Sequence, residues 1–353
     1  MTIPEPLRRL LTAAGPSGYE RAPAAVFADI GKRFSEDVRQ DLLGSVVASV
    51  PGLVEGAPEL AVIGHIDEIG LIITHVDDQG FLRFTGVGGW DPQILQGQRV
   101  EVLTRDGALP GVVGKKPIHL LREEERKKVP EVRELYLDVG ARDGEEARVL
   151  VRVGDVAVIA GEPVGLRGAR ATSRAMDNRL GAFIALEAAR LVAEAGGSPG
   201  RVSAVGAVQE EITFAGSRTS AYALDPDVAI VVDVTHATDA PGIDVSEQGK
   251  HELGGGAVIE RGSIINPVVF ELLHDTAERE GIPFTVSASA ARTGTDADAV
   301  HFSRAGVPTG IVSIALRYMH SPVETVELTD IDACARLIAA FAQSLIPATT
   351  FQR

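Results

Sequence analysis

Short apolar runs alternate with segments of helical periodicity through the C-terminal half of the chain. The apolar runs at residues 202–208 and 228–234 are separated by a short helical pattern, and a longer helix is predicted at residues 267–280. Strands that alternate with helices in this way form a largely parallel sheet, because each helix returns the chain to the same end of the sheet. The sequence therefore predicts an α/β fold, with a mostly parallel sheet and helices on both faces.

The region between about residues 70 and 165 has a different pattern. Its apolar segments are short and β-rich, they are punctuated by Gly and Asp, and they carry little helical periodicity. We therefore expect a small β-barrel-like domain at residues 70–165, inserted into a larger domain made of residues 1–69 and 166–353. Within the insertion, residues 121–129 (LREEERKKV) are so charged that a mobile loop is expected, with a solvated helix as the alternative.

Composition excludes two classes of partner. The 353 residues include 49 acidic and 34 basic side chains, which give a formal net charge of −15. Nucleic acids and anionic membranes require a basic surface, so neither is an expected partner. The first residues lack the apolar core of a signal peptide, and no run approaches the length of a membrane span, so we expect a cytoplasmic protein. The single cysteine, Cys334, excludes an internal disulfide and fits a buried apolar position.

Two adjacent carboxylates, Glu210 and Glu211, follow the apolar run at residues 202–208. Successive side chains of an extended segment point in opposite directions, so these two acids would face different surroundings. One of them could then bind a metal ion while the other handles a proton, because different surroundings can push the two pKa values apart. The alternative is an acidic turn exposed to solvent.

Other residues of metal-binding types fall at predicted strand ends. His65 follows an apolar run, Asp233 lies near the end of another, His320 follows a third, and Asp177 opens a helix. Taken singly, a His is usually a core or surface residue, and Asp177 suits a helix N-terminus. Sites in such sheets lie outside the carboxyl ends of the strands. Together with one member of the Glu pair, these residues predict a ligand set of two His and three carboxylates for two divalent cations, with one carboxylate bridging them.

Five motifs occur in order along the chain: HIDEIG (65–70), AMDNR (175–179), VQEE (208–211), VDVT (232–235) and RYMHSP (317–322). Together they resemble the M42 family of metallo-aminopeptidases, the tetrahedral or TET aminopeptidases. The resemblance covers essentially the whole chain and includes the predicted inserted domain. It implies a metallopeptidase-type catalytic domain and an enzyme that removes N-terminal residues from peptides.

The resemblance also implies which residues bind the ions. One ion would be held by His65, Asp177 and Asp233. The second would be held by Asp177, Glu211 and His320, so that Asp177 bridges the two. Imidazole and carboxylate ligands together suit Zn²⁺, with Co²⁺ or Mn²⁺ as other possible occupants.

Two catalytic roles follow from the same resemblance. Asp67, two residues after His65, would orient the His65 imidazole ring. Glu210 would be the general base, which takes a proton from a metal-activated water and returns it to the departing amine.

Residues 291–296 are the candidate segment for substrate contacts. Arg292 could favour peptides with an acidic first side chain, although an Arg on a loop is more often solvated. Gly294, Thr295 and Asp296 are the other substrate-binding candidates.

The predicted inserted domain has no residue in the implied ligand set, so binding the ions does not require it. We therefore expect residues 70–165 to contact neighbouring subunits. The resemblance implies a homo-oligomer, a tetrahedral dodecamer built from dimers, whose active sites face an interior chamber. The alternative is a lid over the site of a monomer or dimer.

Three other functions fit parts of the pattern. An N-acyl amino acid amidase or deacylase could use the same two-metal chemistry. A glycan hydrolase could use two carboxylates without a metal. A scaffold subunit could use metal for stability and catalyse nothing, which the intact ligand set disfavours.

Overall fold

The computed structural model of the chain describes residues 2–353. Its strands form a large open sheet, a closed barrel and a small three-stranded sheet. In chain order the strands are β1 (Asp37–Gln40), β2 (Val46–Val50), β3 (Leu60–His65), β4 (Gly70–Val76), β5 (Leu82–Val87), β6 (Arg99–Thr104), β7 (Gly107–Gly114), β8 (Tyr136–Asp138), β9 (Val156–Ile159), β10 (Val164–Gly165), β11 (Arg170–Ser173), β12 (Val202–Ala207), β13 (Val228–His236), β14 (Ala257–Gly262), β15 (Phe284–Ser289), β16 (Thr309–Leu316) and β17 (Glu324–Glu327).

The helices range from a single turn to five turns. The longest cover and connect the strands of the large sheet. In chain order they are α1 (Glu5–Thr12), α2 (Arg21–Gly31), α3 (Pro92–Leu95), α4 (Glu123–Arg126), α5 (Gly144–Leu150), α6 (Met176–Glu194), α7 (Glu210–Thr213), α8 (Ala215–Leu224), α9 (Val245–Gln248), α10 (Pro267–Glu280), α11 (Ala297–Val300) and α12 (Leu328–Ser344).

The large sheet confirms the predicted α/β fold. Its strand order is β1-β2-β12-β3-β13-β16-β14-β15, and the central strands β12, β3, β13 and β16 are parallel. Every residue of β3, β12 and β16 is buried. Strands buried on both faces need cover from both sides, which explains why these runs are continuously apolar.

Helix α6 lies against the central strands of the large sheet. It packs on β3, β12 and β13, and two glycines lie at these contacts. A Cβ atom on Gly64 would lie 2.3 Å from the carbonyl carbon of Gly181, and one on Gly181 would lie 2.4 Å from the Val232 carbonyl oxygen. Glycine at both positions therefore lets the N-terminal part of α6 lie directly against β3 and β13.

The closed barrel has the strand order β4-β5-β8-β7-β6-β9, which confirms the β-barrel-like fold expected for the insertion. The barrel has its own apolar core, separate from that of the large sheet, with Leu71, Leu82, Val102 and Leu137 fully buried. The small sheet has the order β10-β11-β17. It leads from the barrel back to α6 and brings β17 beside the segment that precedes α6.

Some local predictions were wrong. Residues 121–129 contain the exposed helix α4, so the solvated-helix alternative describes them better than a loop. The alternation of helices and strands also predicts a helix at residues 296–305. The structure has only α11 there, which ends at Val300, because the chain turns where Arg304 adopts a φ of 51° and the Val307 N–H donates to the His301 carbonyl.

The insertion also contains two short helices that its composition did not predict. Helices α3 and α5 have 4 and 7 residues, which is too short for a helical period to stand out in the sequence. Each begins at an aspartate whose side chain accepts a backbone N–H, from Gln93 to Asp91 and from Glu146 to Asp143. Such caps stabilise a helix start independently of any apolar pattern.

Within residues 2–353, no helix combines the length and the apolarity that crossing a membrane requires.

Candidate metal centre

The carboxyl ends of the parallel strands open into a cavity of about 380 Å³. His65 is the last residue of β3, Asp233 lies in β13, and Asp177 lies at the start of α6. His320 follows β16, in the loop that leads to β17. The rest of the lining consists of Glu210, Glu211, Phe214, Val234, Thr235, His236, Thr293, Gly294, Thr295 and Met319.

The two adjacent glutamates lie on a helical turn, which corrects the expectation that they lie on an extended segment. Gln209 has a φ of 60°, and the chain turns there from β12 into α7. Consecutive side chains on a helix still point in different directions, about 100° apart. Glu210 Oε2 therefore lies 3.6 Å from His65 Nε2, whereas Glu211 Oε1 lies 3.4 Å from His320 Nε2.

Two overlapping groups of side chains could each hold a metal ion. One consists of His65, Asp177 and Asp233, and the other of Asp177, Glu211 and His320; within each group one donor atom per residue lies within 4.8 Å of the others. Asp177 belongs to both groups. Its Oδ1 lies 3.3 Å from His65 Nε2, and its Oδ2 lies 3.4 Å from His320 Nε2.

A third group combines His65 with Glu210 and Glu211. It overlaps the other two and involves both adjacent glutamates. The geometry thus brings all the ligand candidates and Glu210 into one cavity.

The spacing of the donor atoms fits a bound cation. An ion in tetrahedral coordination, with bonds of about 2.0–2.1 Å, separates its donors by about 3.3–3.4 Å. The distances from Asp177 to both imidazoles fall in this range. In addition, Glu211 Oε1 is buried and, among residues 2–353, has no hydrogen-bond partner, which leaves it free to bind a cation.

The electrostatics of the cavity favour positive charge. Asp177 and Glu211 raise the pKa of His320 to about 11. Burial opposes the protonated form of His65, but Glu210, Asp177 and Asp67 outweigh it and raise the pKa of that imidazole. Burial also raises the pKa of Glu211. A site that holds protons this firmly is one where a divalent cation can replace them.

Asp67 connects the His65 ring to the glutamate turn. It is fully buried, and its Oδ1 lies 3.3 Å from His65 Nδ1. The same carboxylate accepts the backbone N–H groups of Glu210 and Glu211, both at 3.1 Å. Asp67 therefore fixes the position of the two acids, and its carboxylate lies beside the His65 ring.

Sequence reasoning missed two residues of the N-terminal segment that support this arrangement. Ser17 donates its hydroxyl hydrogen to Asp67, and Glu20 accepts the Gln209 N–H at 3.0 Å. Both side chains are buried. The sequence around Ser17 and Glu20 indicated only a break between two helices. No local pattern shows that Ser17 has a partner 50 residues away along the chain or that Glu20 has one 189 residues away.

It also missed Glu324, on a strand that the sequence did not predict. This carboxylate accepts the backbone N–H groups of Asp177 and His320. In the sequence Glu324 is an isolated acid after Ser-Pro-Val, and nothing in that pattern predicts its contacts with the backbones of Asp177 and His320.

The four substrate-binding candidates have different surroundings. Gly294 and Thr295 line the cavity. Arg292 is exposed and is not part of the lining. Asp296 is 1% exposed, and burial raises its pKa to about 6.

A family model, a curated relative and solved structures all place this chain among the same kind of proteins. Residues 44–337 match the family model described as M42 glutamyl aminopeptidase. The lysyl aminopeptidase of Pyrococcus furiosus is 35% identical over 349 residues, which cover 97% of each chain. An alignment of that length leaves no large segment of this chain without a counterpart.

Two solved structures are similar over almost the full length. The TET aminopeptidase of the marine sediment archaeon Thaumarchaeota archaeon SCGC AB-539-E09 is 35% identical, with a TM-score of 0.92 and coverage of 97% of this chain and 96% of the other. The Pyrococcus horikoshii TET1 peptidase, which can assemble into a tetrahedron or a large octahedral shell, is 31% identical, with a TM-score of 0.84 and coverage of 97% and 99%.

Proposed function

The chain belongs to the M42 family of aminopeptidases, and we propose that it is a two-metal enzyme that removes residues from the N-terminus of peptides. One observation carries the proposal, namely that the Asp177 carboxylate lies between the two imidazoles, 3.3 Å from His65 Nε2 and 3.4 Å from His320 Nε2. A carboxylate between two donor groups is the arrangement that lets one residue bridge a pair of divalent ions.

We propose that one ion is held by His65, Asp177 and Asp233, and the other by Asp177, Glu211 and His320. The assignment is supported by the two donor groups that have these members. The mixture of imidazole and carboxylate donors suits Zn²⁺, and it also accommodates Co²⁺ or Mn²⁺.

Divalent ions bound here would polarise the peptide carbonyl and lower the pKa of a water, which is the chemistry that peptide hydrolysis requires. Glu210 is the carboxylate that neither proposed ion site uses, and it lines the same cavity. We propose that Glu210 takes a proton from the attacking water and returns it to the departing amine. Asp67 supports this role because its carboxylate accepts the Glu210 N–H and so fixes the position of the Glu210 backbone.

Glu210 must be ionised to take a proton. Burial raises the pKa of Glu210 to about 10; His65 opposes this effect, and Asp233 and Asp296 strengthen it. Divalent charge among these carboxylates would reverse the balance and lower the pKa. We therefore expect Glu210 to act as a base only when the site is loaded.

The proposal predicts hydrolysis of chromogenic aminoacyl substrates that have a free α-amine. Activity should disappear with a chelator and return when Zn²⁺, Co²⁺ or Mn²⁺ is added back. The N-acetylated form of the best substrate is the matched control, and we expect it to resist hydrolysis. Hydrolysis of the acetylated form alone would identify an amidase, and turnover of a glucan that survives the chelator would identify a glycan hydrolase.

We also propose that the barrel domain, residues 70–165, contacts neighbouring subunits in a tetrahedral dodecamer built from dimers. The similarity to a TET1 peptidase that forms a tetrahedron supports this assembly. So do the apolar side chains that the domain exposes, among them Ile118, Leu120, Val129 and Val149, which are each at least 60% exposed. Burial of such side chains in subunit interfaces would stabilise the particle.

Light scattering on the purified, metal-loaded protein should therefore give the mass of a dodecamer. The apolar surface of the barrel is the physical reason for this expectation, since it would otherwise remain in contact with water. A mass of one or two chains at micromolar concentration would contradict the assembly and leave the lid interpretation.

A further inference from the structure

One buried carboxylate touches the backbone of two proposed ligands without being a ligand itself. Glu324 is 2% exposed. Its Oε2 accepts the Asp177 N–H at 3.1 Å, and its Oε1 accepts the His320 N–H at 2.9 Å. Asp177 and Glu324 are 147 residues apart along the chain, so this contact joins two distant segments at the cavity.

The small sheet explains how Glu324 reaches both segments. Strand β17 pairs with β11, and Glu324 lies opposite Ser173, four residues before Asp177. On its other side, Thr325 pairs with Arg317 through two backbone hydrogen bonds of 3.0 Å, which close the loop that carries His320. Glu324 therefore lies where the entry to α6 and the His320 loop converge.

The His320 loop needs such support, because its backbone is strained. Tyr318 and His320 have φ values of 63° and 58°. Residues other than glycine adopt this left-handed conformation only at a cost in free energy. Surrounding contacts must therefore hold the loop in place, and the hydrogen bond from the His320 N–H to Glu324 is one of them.

We propose that Glu324 is a positioning residue that holds the backbones of Asp177 and His320 at the separation required by the ion they share with Glu211. The inference rests on the proposed two-metal function. Both oxygens of the carboxylate accept a hydrogen bond, so one side chain fixes two ligand-bearing segments relative to each other. Glu324 belongs to none of the donor groups found among residues 2–353, which separates this role from metal binding.

Glu324→Gln tests the role with almost no change in size. A Gln amide has one acceptor oxygen, so one of the two backbone N–H groups would face an NH₂ group instead. Removal of groups that orient a ligand typically lowers metal affinity or activity by about 10–100-fold. We expect the ion of the Asp177, Glu211 and His320 group to bind about 10–100-fold more weakly. The other ion should be affected less, because, of its proposed ligands, only Asp177 has a backbone N–H that donates to Glu324.

The measurement is a calorimetric titration of the metal-free protein with Zn²⁺, repeated with Co²⁺, together with the melting temperature of the metal-free protein. The matched control is Glu327→Gln, on the same strand, where the carboxylate pairs with Arg170 at 3.2 Å. It should bind both ions as the wild type does. Excess metal should restore most of the turnover of Glu324→Gln, because the defect is one of affinity.

The proposal would be overturned if a folded Glu324→Gln protein bound the ion of the Asp177, Glu211 and His320 group with an unchanged dissociation constant. If Glu324→Gln fails to fold, Glu324→Asp is the second test, because its shorter side chain keeps both acceptor oxygens but cannot reach both N–H groups. Unchanged metal affinity of Glu324→Asp would also overturn the proposal. A wild-type protein that binds only one ion, or that hydrolyses no free-amine substrate, would instead contradict the proposed function, whatever the variants do.

Discussion

Glu210→Gln should lower kcat by about 10²–10⁴-fold, which is the range of general acid–base catalysis. The two ions should stay bound, because the variant keeps the size of the side chain and Glu210 is outside both proposed ion sites. Only the ability to take a proton is lost. The check is kcat on a free-amine aminoacyl substrate, with elemental analysis of the metals in the same sample.

The neighbouring residue provides the control for this variant. Glu211→Gln removes a carboxylate whose Oε1 lies 3.4 Å from His320 Nε2, so its main effect should be on metal content. Two adjacent glutamates should thus respond differently, one in turnover and the other in occupancy. Near-normal turnover by a metal-replete Glu210→Gln protein would reject Glu210 as the base.

Asp177→Asn should have a larger effect, since it should remove metal as well as activity. The neutral amide cannot supply two anionic oxygens, and Asp177 is the residue common to both proposed sites. We expect fewer than two ions per chain and a loss of kcat/KM at least as large as for Glu210→Gln. Elemental analysis after dialysis against trace metal measures the first quantity, and steady-state kinetics the second.

Asp330→Asn is a matched control for that variant. Asp330 is 1% exposed, and its carboxylate accepts the N–H groups of Gly254 and Gly256, away from the cavity. Its replacement should lower stability while the metal content stays at two ions. If the Asp177→Asn protein retains two ions per chain, Asp177 does not bridge them.

The sequence predicted those parts of the molecule that depend on local pattern. Continuous apolar runs identified the buried strands β3 and β12, because burial on both faces leaves no room for alternation. The order of strands and helices then implied a parallel sheet. That order also explains why His65 and Asp233, which are far apart in the sequence, lie in one cavity.

Features that depend on distant contacts could not be predicted in this way. The turn at Gln209 is held by Glu20 and Asp67, whose carboxylates accept three consecutive backbone N–H groups. Ser17 acts through a partner 50 residues away along the chain, and Glu324 through one 147 residues away. Hydrogen bonds of this kind leave no period or composition in the sequence, so only the fold reveals them.

Short helices were the other source of error. Helix α11 ends after 4 residues because the following chain turns back through Arg304 and pairs with His301, not because the pattern of residues changes. Tertiary context overrides propensity most easily in segments of one or two turns, where few residues contribute.

The central claim is that two divalent ions share Asp177. Anomalous diffraction from a crystal of the Zn²⁺-loaded protein, recorded at the zinc absorption edge, tests it most directly. The account predicts two peaks in the cavity, one beside His65 and Asp233 and the other beside Glu211 and His320, about 3.5–4 Å apart on either side of Asp177, as in other two-metal sites. A single peak, or two peaks that do not share Asp177, would contradict it.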